Sequence, residues 1–136
     1  MDRILIILSI ILFSSCANLK KPNHDKYPTI MTVKFVDMDI ETAMDVRCED
    51  FEKSFTDIQT KVVNDSMKIN KIFNTLKHLK IAGNKYYQHV DTRMKIEIKF
   101  NNDSIETICM DRFIVNRNNQ ILINTDSLKY LLTRME

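Results

Sequence analysis

The residues best equipped for chemistry are few: His24, His78 and His89, and Cys16, Cys48 and Cys109. Zinc sites draw on His and Cys at short repeated spacings, such as two His one helical turn apart or Cys-x-x-Cys. Neither spacing occurs in this chain, so no metal and no cofactor is expected. The densest aromatic and polar run is Tyr86-Tyr87-Gln88-His89-Val90-Asp91. A thiolate and imidazole pair could form if Cys109 met His89. Against this, Cys109 falls inside a strand pattern, where a buried thiol is inert. The acidic residues Asp37, Asp39, Glu41 and Asp45 lack the glycine and the closing Glu of a calcium loop, and read as a solvated stretch. One glycine in 136 residues excludes Gly-rich phosphate loops. A non-enzymatic protein is expected.

The elements around these residues follow from periodicity. From about Ser66 to Ile81, Ile69, Ile72, Phe73, Leu76 and Leu79 recur at spacings of three and four, predicting a long amphipathic helix. Asp65 or Ser66 suits its amino-terminal cap, Lys77, His78 and Lys80 complement its carboxyl end, and Gly83 is placed to close it. Arg93 to Phe100 alternates strictly, and Asn101-Asn102-Asp103-Ser104 is a turn, so Ile105 to Met110 returns as a hairpin. A four-residue loop sets Phe100 opposite Ile105, Lys99 opposite Glu106 and Ile96 opposite Cys109. That register leaves Ile108 and Met110 on an outer face among Lys95, Glu97 and Lys99, either covered by the first strands or free to bind.

Met31 to Val36 and Ile58 to Val63 read as strands. Val46 to Phe55 reads as a short strand through Cys48, then a turn burying Phe51 and Phe55. Phe113 to Val115 and Gln120 to Ile123 form a second hairpin, and Thr125 or Asp126 caps a final helix that buries Leu128, Leu131, Leu132 and Met135. The expected fold is α+β: a mostly antiparallel sheet of five or six strands, one long helix packed on one face, and a short C-terminal helix.

At the amino terminus, Ile4 to Phe13 is apolar except for Ser9, too short to span a bilayer and right for the core of a secretory signal. Phe13-Ser14-Ser15-Cys16 follows and resembles the lipobox of bacterial lipoproteins, with Phe13 where that family has Leu. The resemblance implies removal of residues 1–15 and acylation of Cys16, with attachment to a cell membrane or outer membrane on its periplasmic or surface side. Two or three acyl chains would make that attachment stable. Residues 16–28 read as a polar tether holding both prolines, and 29–136 as a single domain.

Cys48 and Cys109 remain after lipidation. Exported proteins can join such a pair, but spacing along the chain does not decide it, and two buried thiols are the reading adopted.

A net charge of +2 argues against a nucleic-acid partner. Rich in Ile, Asn and Lys, the domain resembles the small uncharacterised envelope lipoproteins of gut-type bacteria, a likeness that implies no activity. The expected role is a membrane-anchored, non-catalytic module that binds an envelope protein, with Tyr86, Tyr87, His89, Ile108 and Met110 as candidate contacts. An inhibitor or immunity-type protein that blocks a toxin or hydrolase is the alternative. An enzyme whose site is gathered from distant residues is a third reading.

Overall fold

The computed structural model describes residues 25–83 and 89–134. Its framework is an antiparallel sheet of six strands: β1 (Pro28–Phe35), β2 (Gln59–Val63), β3 (Met94–Phe100), β4 (Ile105–Met110), β5 (Ile114–Arg117) and β6 (Gln120–Ile123). Across the sheet the order is β2-β1-β3-β4-β5-β6. Three helices complete the domain: α1 (Phe51–Ser54), entered through a 3-10 turn at Cys48–Asp50, α2 (Ser66–Lys77) and α3 (Asp126–Thr133). The domain is therefore α+β. β1 starts at Pro28, the first strand position, where a missing N–H is tolerated.

The core lies between the sheet and α2 with α3. Met31, Val33, Ile96, Ile98, Ile108, Met110 and Val115 meet Ile69, Ile72, Phe73, Leu76, Leu128 and Leu132. Asp65 caps α2 by accepting from the amides of Met67 and Lys68, and Thr125 caps α3 by accepting from Leu128. Burying each large apolar side chain contributes roughly 1.5–3 kcal/mol.

α2 is shorter than its apolar stripe predicts. It ends at Lys77, where the His78 amide turns back to Thr75, and Gly83 does not take the left-handed conformation expected of a helix-closing residue. The reason is a competing partner. Lys80 and Ala82 bond the backbone of β6 through Ile123 N–H and Ile121 C=O, and Ile81 bridges Leu122. The backbone after Lys77 thus gains sheet hydrogen bonds in place of another helical turn.

The register of β3 and β4 also departs from expectation, by one residue. Asp103 adopts φ 60°, the Phe100 amide donates to Ser104 C=O, and the loop is three residues rather than four. Ile96 therefore faces Ile108, Lys95 faces Cys109 and Ile98 faces Glu106. A one-residue shift reverses every side chain of β4. Ile108 and Met110 are consequently core residues, each 0% exposed, and Cys109 points to the opposite face. The expected Lys99–Glu106 pairing is replaced by Glu106 with Arg117, whose Nε lies 2.6 Å from Oε1.

On that opposite face the chain from Val36 to Ile58 forms a smaller layer. Phe51 is fully buried with Val36 and Val46, and the Phe55 ring lies tilted against it at 5.4 Å between centroids. No strand runs through Cys48. It sits in the 3-10 turn and is joined to Cys109 by a disulfide with Cα atoms 5.7 Å apart, correcting the expectation of two buried thiols. The two cysteines lie 61 positions apart, so the cross-link stabilises by roughly 4 kcal/mol in the chain-entropy account.

Candidate functional site

Asp91 and Arg93 lie two residues apart on the extended approach to β3, a spacing that puts both side chains on one face. Arg93 is 4% exposed, and its donors are all engaged. Nη1 and Nη2 each lie 2.6 Å from an oxygen of Asp91. Nε donates to Ile40 C=O at 3.0 Å, Nη1 also donates to Thr92 C=O, and Nη2 donates to Thr42 Oγ1 at 2.9 Å. Asp91 Oδ1 in addition accepts from the Val46 amide at 2.8 Å. A buried guanidinium is tolerated because it is paired and satisfied, and the planar fork of Arg suits this geometry. The cluster clamps residues 40–46 against the sheet.

Above the clamp is an open groove of about 470 Å³, walled by Met38, Ile40 and Thr42 on one side and by Asp111, Arg112 and Phe113 on the other. The Asp111 carboxylate accepts from the amides of Phe113 and Ile114, which fixes the corner between β4 and β5. Arg112 pairs with Asp39 across the groove, and Phe113 stands 60% exposed at its rim. Because the polar groups of Arg93 and Asp91 are occupied in holding the loop, the groove offers a contact surface of aromatic, guanidinium and aliphatic groups.

On α1, Glu52 bridges β1 and β3. It accepts from Lys95 at 2.9 Å and from Lys34 at 3.2 Å, while Lys34 also meets Glu97 at 3.4 Å. Burial pushes the Glu52 carboxyl up, but the hydrogen bonds from Lys95 and Lys34 outweigh it and hold the group below the usual carboxylate range. The hydrogen bond to Glu52 raises Lys34 against the opposing effect of burial, and Glu97 adds to the rise.

Further along this face the sheet is open. The register aligns Val62, Thr32, Glu97 and Thr107 in one row and Ile30, Lys99 and Ile105 in the next. Val62 and Ile105 are each 65% exposed.

The structure does not gather the residues singled out from sequence. Tyr86 and Tyr87 lie outside the described residues, as do Cys16 and His24, and His89 is exposed. Ile108 and Met110 belong to the core and present no surface for binding. Cys109 is half of a disulfide and supplies no thiolate to His89. His78 ends α2, its Nδ1 2.6 Å from Asn74 C=O. The one sequence signal of the Arg93 clamp is the Asp-x-Arg spacing of Asp91 and Arg93 in an extended segment. Among the described residues no group of three His, Cys, Asp or Glu is placed to hold a metal, and no helix is long and apolar enough to cross a membrane. No family model, curated protein or solved structure matches this chain.

Proposed function

We propose that the chain is a lipid-anchored envelope protein whose domain binds another macromolecule without catalysing a reaction. The observation that carries this reading is Phe13-Ser14-Ser15-Cys16 directly after the apolar run Ile4 to Phe13. The Cys48–Cys109 disulfide supports it, because such bonds persist in exported proteins and are rare where glutathione keeps thiols reduced. The binding surface is the groove between residues 38–42 and the corner at Asp111–Phe113, held rigid from below by Arg93. Aromatic residues and Arg are enriched at the centres of interfaces, and a pre-ordered loop lowers the entropic cost of association.

Radiolabelled palmitate tests the anchor. The wild-type chain is expected to incorporate label and lose residues 1–15, and Cys16→Ala to do neither. Continued labelling of that variant would sink the reading. In the same preparations, Phe113→Asp should leave labelling intact while weakening capture of an envelope protein.

A further inference from the structure

The described surface divides its charge between the two sides of the sheet. Eight of the chain's 18 Asp and Glu fall between Asp37 and Asp57, accompanied only by Arg47 and Lys53. From Ser66 to Gly83, by contrast, the chain carries Lys68, Lys71, Lys77 and Lys80 and no carboxylate. Asp65 is engaged as the cap of α2, and Asp126 on α3 pairs with Lys129. Among the described residues, no carboxylate partners Lys71, Lys77 or Lys80. Lys71 and Arg134 also edge a groove of about 240 Å³ between α2 and α3, floored by Ile72 and Leu131. Met67, 78% exposed, and Tyr130, 54% exposed, stand on this same basic side. A cationic surface with scattered apolar and aromatic tips suits a lipid head-group layer, where such side chains sit with their polar ends in water.

The point of chain entry lies on this side too. Lys26 packs over the Phe100 ring at 3.9 Å, Phe100 meets Phe73 edge-on at 5.6 Å, and Lys77 lies over Phe73 at 4.3 Å. Asp25 and Tyr27 bond Asn101, so the described chain starts at the β3–β4 turn, next to the Phe100 and Phe73 rings that Lys77 covers.

We infer that the α2–α3 side docks onto an anionic lipid surface, leaving the groove at Phe113 facing away from the membrane. This inference rests on the proposed anchor at Cys16. Nine residues, 16–24, reach at most about 30 Å, so the basic side cannot leave the vicinity of the head groups. Tethering makes docking intramolecular, at an effective concentration in the millimolar range. Each lysine brought to a negative leaflet favours the docked state about fivefold.

Lysine footprinting on the lipidated full chain tests this, using N-hydroxysulfosuccinimidyl acetate and mass spectrometry. The protein is reconstituted into vesicles of phosphatidylcholine alone, or of phosphatidylcholine with phosphatidylglycerol. With phosphatidylglycerol, acetylation of Lys71, Lys77, Lys80 and Lys129 should fall at least about fivefold, recover in high salt and leave Lys53 unchanged. The triple variant Lys71→Glu, Lys77→Glu, Lys80→Glu should float with both vesicles yet lose the protection of Lys129. Equal footprints in the two vesicles, with the protein floating in both, would overturn the docking and spare the anchor. Failure to float with phosphatidylcholine would overturn both. Protection by a nucleic acid without protection by phosphatidylglycerol would assign the basic side to another polyanion and overturn the inference.

Discussion

The two faces of the sheet are held by different means. Toward α2 and α3 the contacts are apolar and continuous, with Met31, Val33, Ile96, Ile98, Ile108 and Met110 forming one floor under Ile69, Ile72, Phe73 and Leu76. Toward α1 the apolar cluster is small, centred on Phe51, Val36 and Val46, and the layer is secured by specific links. These are the Cys48–Cys109 disulfide, the Arg93–Asp91 clamp and the Glu52 bridge to Lys34 and Lys95. Burial of area resists any single change only in proportion to the area lost. A link fails when one partner is removed. The difference assigns general stability to the helical side and the precise positioning of residues 38–46 to the other. A loop that must present a binding surface gains from the second kind of support, because ordering it in advance lowers the cost of association.

The largest expected effect strikes the helical side. Leu76 is almost fully buried in the core, and Leu76→Ala should cost about 2–5 kcal/mol. A domain of this size holds on the order of 5–15 kcal/mol in total, so the urea midpoint should fall sharply. The whole domain should respond in one transition. An unchanged midpoint would show that α2 is not the principal cover of the sheet.

A small effect should come from the bridge on the other side. The folded Glu52 carboxyl titrates below its ordinary value of 4.5, so its stabilisation is present above that value and is lost as pH falls through the lowered one. Lys34 is raised above 10.5, so its share is present below that pH and disappears as pH climbs through the raised value. Glu52 is about a third exposed, 36% of its side chain, which limits the bridge to under about 1 kcal/mol. Glu52→Gln should therefore lower stability slightly at neutral pH and flatten its decline below pH 4.5. An unaltered acid profile would remove Glu52 from the account.

Much of the helical side was legible in the sequence, because its signals are local. The cap at Asp65, the stripe through Leu76 and the cap at Thr125 all rest on neighbours within a few residues. The other face was mostly illegible because its links are long-range. Arg93 reaches Thr42 and Ile40 across more than fifty positions, and the disulfide spans sixty-one. The difference in register turns on Asp103. Its left-handed conformation shortens one loop by a residue, and that alone moves Ile108 and Met110 into the core and turns Cys109 toward Cys48. Asp tolerates that conformation without requiring it, so composition offered no choice between a three-residue and a four-residue loop.

Hydrogen exchange on the protein with Cys48–Cys109 reduced tests the two-sided account most directly. The Val46 amide, bonded to Asp91, reports on the linked layer, and the Ile96 amide in β3 reports on the core. After reduction, Val46 should open with a free energy well below that of Ile96, whose protection should fall only with the global loss of stability. If Val46 and Ile96 exchange with the same free energy in the reduced protein, the layers form one cooperative unit and the account is contradicted.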